Sequence, residues 1–261
     1  MASWPNWVKF LGLKSNKAAS YFLHRAKARG ESVFMMIDTG SMIIFAVTMV
    51  ATLLVQMYLK NTYNRWGKIA NTAGLTGAEV ARVVLDSNGL EEVPVEKVRG
   101  VLTDHYDPFK RVVRLSAVNY EQASVAGAAV AAHEVGHAIQ HAEAYGPLRF
   151  RSALVRPANI GAQFGPWLLI GGFVLNIANL AQVGILLFAA AVLFQLVTLP
   201  VEFDASRRAL RQMNNLGLVT QRDANGSKSV LNAAALTYVA AAAASVATLL
   251  YYVMMFSGRR D

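Results

Sequence analysis

Long uncharged apolar runs alternate with polar stretches along the chain and predict about four membrane-spanning helices. The first run, Thr39 to Leu59, carries no charge and is long enough to cross a bilayer as one helix. Residues Pro157 to Val201 are also uncharged, a length that suits two spans joined by a tight turn. Ala233 to Phe256 is the last such run, and tyrosines and arginines of the kind found at membrane interfaces close it.

The middle run is predicted to form a helical hairpin with spans near residues 160–175 and 183–199. Such a hairpin returns the chain to the side of the membrane that it left. We therefore expect Glu202 to emerge on the same face as His133. The turn between the spans is marked by Asn176, Asn179 and Gln182.

The polar region before this hairpin is predicted to contain a short helix and a β-hairpin. Thr76 and Glu79 have the spacing of a capping box, which begins a helix. Residues 93–102 and 110–115 are rich in β-branched side chains, and the turn-forming residues 104–108 lie between them. A substrate peptide could add itself to an edge strand of this hairpin.

Two local signals predict breaks in the second half of the chain. Pro200 suits the first turn of a helix, where its missing N–H costs little, so a new polar helix is expected to begin there. Asn225-Gly226 is typical of a loop.

One motif carries most of the chemical information. His133, Glu134 and His137 form an HExxH sequence inside an Ala-rich run that favours a helix. Residues four apart share one face of a helix, so His133 and His137 can present two imidazole nitrogens to a single zinc ion. Glu134 is close enough to act on a water at that ion.

A catalytic zinc takes three protein ligands and leaves one position open. The chain has no cysteine, so the third ligand is a His, Asp or Glu. His141 lies two turns, about 12 Å, from His133, which is too far for one ion on a straight helix. Glu202 is the preferred third ligand, because the hairpin brings it to the correct side. The alternatives that stay open are Glu143, Asp107, Asp204 and His105.

At this point the chain resembles a known family. The sequence HEVGHAIQ follows LTDHYDP and precedes, after the apolar hairpin, LPVEFDASRRAL. These motifs, in this order, are similar to the YugP-type family of membrane zinc metallopeptidases, over most of the chain from Tyr63 onward. A more distant resemblance is to the HtpX and CAAX-prenyl peptidases (gluzincin-like), which read HExxH and then ExxxD.

The resemblance implies His133, His137 and Glu202 as zinc ligands and Glu134 as the catalytic carboxylate. Where the distant relatives have the Asp of ExxxD, this chain has Ser206. If that Asp orients a ligand histidine, Ser206 or Asp204 must replace it.

The mechanism expected from these parts is peptide-bond hydrolysis, with Glu134 moving the proton. An oxyanion donor is also needed, and His105 or Tyr106 is the candidate if the turn before the helix faces the metal. For this turn a purely structural role is an equal alternative. For the whole chain the alternative is a non-catalytic subunit of a larger membrane complex, with zinc retained or vestigial.

Composition and charge agree with a membrane location. The chain is 54% hydrophobic and 16% charged, with a net charge of +9. Its basic residues flank the apolar runs, which favours the lipid bilayer over nucleic acid as the charged partner. Expected partners are thus lipid, a peptide or membrane-protein substrate, and other complex subunits. The expected location is a bacterial cytoplasmic or a mitochondrial inner membrane.

The predicted fold is a mainly α, polytopic membrane protein with a small zincin-like α+β region. The N-terminal segment is basic, carries no acidic residue before Glu31, and is interpreted as an amphipathic surface helix, with an organelle-targeting segment as the alternative. The predicted segments are this basic segment (1–36), the first span (37–60), the zinc-site region (61–156), the transmembrane hairpin (157–201), a helix and loop with the third ligand (202–230), and the last span with its tail (231–261).

Overall fold

The computed structural model describes residues 39–257, so the amphipathic segment predicted over 1–36 lies outside the described residues. The elements in chain order are α1 (Thr39–Gly67), α2 (Gly77–Asp86), β1 (Val95–Val98), β2 (His105–Asp107), β3 (Val112–Ser116), α3 (Ala117–Glu121), α4 (Val125–Ala142), α5 (Gly146–Leu175), α6 (Ala178–Asn215) and α7 (Gln221–Ser257).

Four helices, α1, α5, α6 and α7, are long and apolar enough to cross a membrane. They confirm the prediction of a mainly α, polytopic protein with a small α+β region between the first two spans. Helix α6 has 38 residues. At 1.5 Å per residue it is about 57 Å long, against about 30 Å for the hydrocarbon core of a bilayer. One end of α6 therefore extends well beyond the membrane.

Helices α5 and α6 form the predicted hairpin and pack at very short range. Asn176 ends α5 in the left-handed conformation, with φ of 56°, and α6 begins two residues later. A Cβ at Gly161 would overlap the carbonyl oxygen of Leu187, and one at Gly172 would lie 2.7 Å from the Cβ of Ala181. Small residues allow the close backbone approach that stabilises helix pairs in lipid.

Both predicted breaks in the second half of the chain are wrong, because helices continue through them. Helix α6 runs through Pro200 without interruption, as helices at membrane depth can when neighbouring groups compensate for the missing N–H. Asn225 and Gly226 lie inside α7. A Cβ at Gly226 would meet the ring of Trp66, so this glycine allows close packing of α7 on α1.

The two runs predicted as strands correspond to β1 and β3, but these strands pair in parallel and not as a hairpin, and the antiparallel partner of β3 is β2. The sheet order is β1-β3-β2, with β1 parallel and β2 antiparallel to β3. The segment 104–108, predicted as a turn, contains edge strand β2. Asp104 fixes its start, because its carboxylate accepts hydrogen bonds from the backbone N–H and hydroxyl of Ser116 and from Asn119. In these contacts Asp104 connects the start of β2 to the end of β3 and to α3, which is a structural role.

Helix α4 forms the centre of the molecule outside the spans. It packs against α2, the sheet and the extended ends of α6 and α7, and its apolar side chains, Val135 among them, are buried. Helix α2 begins with the predicted capping box, in which the Thr76 N–H donates to Glu79 at 2.7 Å. The HExxH sequence is therefore held in the best-packed part of the protein.

Candidate metal centre

Three side chains from two helices converge beside α4. His133 Nε2 lies 3.3 Å, and His137 Nε2 3.6 Å, from Oε2 of Glu202 on α6. All three donor atoms lie within 4.8 Å of one another. Within residues 39–257 this is the one group of His, Asp or Glu side chains whose arrangement could hold a metal ion.

The crossing of α4 and α6 brings these residues together. His133 and His137 are one turn apart and face α6, and Glu202 lies just after the apolar part of α6 ends at Val201. Gly136 is at the contact point, where a Cβ would lie only 2.7 Å from the carbonyl oxygen of Ala205. The absence of a side chain at Gly136 therefore allows α6 to come close enough to present Glu202.

The spacing of the donor atoms fits zinc. Two ligands that each lie about 2.0–2.1 Å from a tetrahedral ion are separated by about 3.3 Å. The separations of Glu202 from the two histidine nitrogens, 3.3 and 3.6 Å, are close to this value. Two imidazoles and one carboxylate also match the three-ligand set of catalytic zinc sites.

The second nitrogen of each histidine is held by another side chain. His137 Nδ1 is 3.0 Å from Gln140 Oε1, and His133 Nδ1 is 3.2 Å from the hydroxyl of Ser206. Gln140 also donates to the carbonyl of Val201 at 2.8 Å and to Asp204 at 3.0 Å. Such contacts fix ring orientation at metal sites. Of the two residues considered in place of the missing Asp, Ser206 contacts His133 directly, and Asp204 is linked to His137 through Gln140.

Glu134 is buried beside the histidines. Its Oε2 accepts a hydrogen bond of 2.9 Å from the backbone N–H of Tyr106 in edge strand β2. Burial raises the pKa of the Glu134 carboxyl, while the neighbouring His133 and His137 act in the opposite direction. A carboxyl group with a raised pKa can both accept and return a proton near neutral pH.

The other candidate ligands are engaged elsewhere. Arg208 contacts both Glu143 and Asp204 at 2.6 Å. Asp107 accepts a hydrogen bond of 2.9 Å from Arg114. The structure therefore leaves Glu202 as the carboxylate that faces both histidines, as the hairpin argument predicted.

The remaining candidates are His141, Tyr106 and His105, and the structure places each of them outside the group of three converging side chains. The imidazole of His141 is 2.8 Å from the hydroxyl of Tyr106, away from the three converging side chains. That contact also occupies the Tyr106 hydroxyl. His105 is exposed and lines the cleft at the site, with its Nδ1 2.8 Å from the carbonyl of Thr103.

An open cleft of about 290 Å³ gives access to the site. His105, Tyr106 and Glu134 line it, together with Arg151 of α5 and Tyr238 of α7. The Arg151 guanidinium is 3.6 Å from Oε1 of Glu202. No sequence pattern marked Arg151, Tyr238 or Gln140, because their positions depend on how the long helices pack.

Two histidines and a glutamate around one point, with a buried glutamate beside them, are the residue types with which zinc-dependent hydrolases bind the ion and activate water. The chain belongs to the family described as "Putative neutral zinc metallopeptidase", whose model matches residues 41–257. This membership and the four apolar helices make it an integral membrane protein of a zinc peptidase family.

A named relative supports the same family and the YugP-type resemblance. The chain is 50% identical over 206 residues to "Putative membrane protease YugP" of Bacillus subtilis (strain 168), which covers 79% of this chain and 92% of the relative. This bacterial relative supports a bacterial membrane rather than a mitochondrial one. No solved structure matches the chain significantly.

Proposed function

We propose that the protein is a membrane-embedded zinc endopeptidase that hydrolyses peptide bonds of membrane or membrane-adjacent proteins. The observation that carries the proposal is the convergence of His133, His137 and Glu202, with Glu134 buried next to them. A purely structural zinc site needs no such additional carboxylate. The three converging residues are proposed as ligands, and Glu134 as the proton carrier.

A zinc ion held by these ligands supplies Lewis acidity that activates a water and polarises a peptide carbonyl. Glu134 accepts the proton of the attacking water and later returns it to the leaving amine. Its Oε2 is held by the Tyr106 N–H, which leaves Oε1 for this transfer. His105 was the sequence-based candidate for stabilising the oxyanion, and it stays a candidate because it lines the cleft. Arg151 and Tyr238 line the same cleft and offer further donors.

The position of the site supports a substrate in or beside the membrane. Glu202 follows directly on the uncharged run that ends at Val201, so the metal centre lies where α6 leaves the bilayer. Among the described residues, edge strand β2 borders the cleft and pairs with no strand on the side away from β3, where its Tyr106 N–H bonds Glu134 and its Tyr106 carbonyl stays available. An extended substrate segment can pair with such an edge. A bacterial cytoplasmic membrane is the proposed location.

Metal content and turnover test the proposal together. We expect one zinc per chain in the wild type, a similar content in Glu134→Gln, and a strongly reduced content in Glu202→Gln. Hydrolysis of a membrane-protein substrate is expected to fall by about a thousandfold or more in Glu134→Gln. The measurements are elemental analysis of the purified protein and mass spectrometry of the products.

The same experiment distinguishes the non-catalytic alternative. Zinc that is retained without hydrolysis of any membrane protein or peptide would favour a structural subunit. Wild-type protein that takes up no zinc, even after reconstitution, would contradict the metal site itself.

A further inference from the structure

The cleft adjoins a second cavity, of about 140 Å³, at the catalytic residues. His133, Glu134 and Tyr238 line both spaces, so the second cavity opens beside the point where a peptide bond would be cut. Its remaining wall is mainly aliphatic. We name it the apolar cavity and define it by Leu59, Leu102, Val130, Val230, Leu231 and Ala234.

Two polar side chains in the wall of the apolar cavity, Tyr63 and Asp104, already have hydrogen-bond partners in neighbouring residues. Both carboxylate oxygens of Asp104 accept hydrogen bonds from Ser116, and one accepts another from Asn119. The hydroxyl of Tyr63 donates to Asn119 at 2.7 Å. An aliphatic group can therefore enter this space while Tyr63 and Asp104 keep their hydrogen bonds. Burying it there is favourable because no polar group of this network loses a partner.

The size of the apolar cavity suits one amino-acid side chain. A protein cavity of about 150 Å³ with aliphatic walls stays dry and binds benzene. A space of about 140 Å³ is therefore close to what a Leu or Phe side chain fills. Each buried methylene group is worth about fourfold in affinity, so the cavity can discriminate Leu from Ala by tenfold or more.

The cavity also lies at the edge of the bilayer. Leu59 is the last residue of the first uncharged run, and Ala234 is near the start of the last one. The spanning helices α1 and α7 contribute most of its aliphatic wall, and α4 and the loop before β2 complete it, whereas the open cleft is also bordered by β2 and α5. A chain leaving the membrane can place an apolar side chain in the cavity while its polar part lies in the cleft.

We propose that the apolar cavity is a specificity subsite that accepts one Leu- or Phe-sized side chain next to the scissile bond. This inference rests on the proposed peptidase function. It assigns the substrate class as segments with a large apolar residue at the membrane boundary. Ala234 and Leu59 set the volume of the subsite, because both line it and are only half-buried.

The test measures binding separately from cleavage. Fluorescent peptides with Ala, Leu, Phe or Lys at one central position in a Gly/Ala background are titrated onto the zinc-loaded, full-length Glu134→Gln protein in detergent. We expect Leu and Phe peptides to bind about tenfold or more tightly than the Ala peptide. The same peptides are then offered to the wild type, and the cut position is determined by mass spectrometry.

Two substitutions change the cavity in opposite directions. Ala234→Leu, added to Glu134→Gln, is expected to reduce the preference for Leu over Ala by about tenfold, because the new side chain occupies the space. Leu59→Ala is expected to shift the preference from Leu towards Phe. Ala243→Leu, the same change at an exposed position of α7, is the matched control and is expected to retain the wild-type preference. Zinc content confirms that each variant still folds.

The outcomes separate this subsite from the peptidase proposal. Cleavage by the wild type without side-chain preference overturns the subsite and leaves the peptidase standing. A preference for the Lys peptide also overturns it, because Asp104 would then act as a counter-ion. Preferential binding of Leu, abolished by Ala234→Leu but without cleavage by the wild type, supports the subsite and overturns the peptidase. Absence of binding by every peptide overturns the subsite.

Discussion

Gln140 is fully buried and connects the two helices that carry the proposed metal ligands. Its oxygen faces Nδ1 of His137, and its amide nitrogen donates to the carbonyl of Val201 and to Asp204, next to Glu202. One amide therefore fixes the ring of a ligand on α4 and the backbone beside a ligand on α6. A change at Gln140 should act on metal binding more than on overall packing.

We predict that Gln140→Met weakens zinc binding by about 10- to 100-fold, as expected when a partner of a ligand histidine is lost. Methionine has a similar volume but cannot replace either hydrogen bond. Competition with a zinc chelator measures the affinity. The matched control is Gln212→Met, which removes a hydrogen bond to Asn88 far from the site and should leave zinc affinity unchanged. Equal affinities for both variants would contradict the positioning role.

The contacts of Asp107 lead to a prediction of how the stability of the protein depends on pH. Its hydrogen bond with Arg114, and further bonds from the backbone of Lys110 and Phe109, hold the pKa of Asp107 below its usual range. The pKa of Asp107 is lower in the folded than in the unfolded protein. The contribution of Asp107 to the free energy of unfolding is therefore fully present above the unfolded-state pKa. It is lost as the pH falls through the folded value.

We therefore expect the Tm of the wild type to fall between about pH 5 and about pH 3 more steeply than that of Asp107→Asn, which cannot titrate at this position. The measurement is thermal unfolding of both proteins in the same detergent across this range. Parallel curves would show that the Asp107–Arg114 pair contributes nothing measurable.

At the scale of the elements, the contact between α4 and α6 decides whether the metal centre forms. The two helix backbones approach closely at Gly136, where a Cβ would lie 2.7 Å from the carbonyl oxygen of Ala205, and Ala132, one turn earlier, is fully buried. A methyl group at Gly136 must displace the Ala205 carbonyl. Because the helices are rigid, such a displacement moves Glu202 away from both histidines.

We predict that Gly136→Ala costs about 1–3 kcal/mol of stability, through overpacking, and also weakens zinc binding. Metal affinity and thermal unfolding measured on the same sample test both effects. Gly146→Ala is the matched control, because a Cβ at Gly146 meets nothing within 4 Å. Wild-type zinc affinity in Gly136→Ala would show that the contact can relax without moving Glu202.

The sequence was sufficient to predict the elements that have a long apolar run or a clear local capping motif. The uncharged runs predicted the spans, and the capping box of Thr76 and Glu79 predicted the start of α2. The strand order could not be read from the sequence, since the segment 104–108 has turn-forming residues. It becomes strand β2 because β3 pairs with it and Asp104 bonds Ser116 across the sheet.

The same distinction applies to the candidate site. The convergence of His133, His137 and Glu202 was predictable because one helix face and a returning hairpin are enough to define it. The roles of Gln140 and Arg151 were not, because each depends on the side-chain geometry of two packed helices. The helix breaks predicted at Pro200 and Gly226 do not occur, for a related reason: in a membrane protein, packing between helices can outweigh a local preference for a break.

At the scale of the whole molecule, α6 is one uninterrupted helix that begins at the far side of the spans, passes the metal centre at Glu202 and ends at Asn215. The histidines are on α4, which is not one of the four spanning helices. Glu202 lies about 36 Å along α6 from its first residue. A change of about 5° in the tilt of α6 about that end would displace Glu202 by about 3 Å relative to the histidines.

Helix tilt adjusts to the hydrocarbon thickness of the surrounding lipid. We therefore predict that zinc affinity in reconstituted vesicles passes through a maximum as the acyl chains of the lipid are lengthened. A zinc affinity that does not change with chain length would mean that the contacts with α4 hold α6 at a fixed angle. Chelator competition in vesicles of graded chain length measures it. On this prediction, membrane thickness is a variable of metal coordination, and changing the lipid composition around the protein changes how tightly a zinc ion is held.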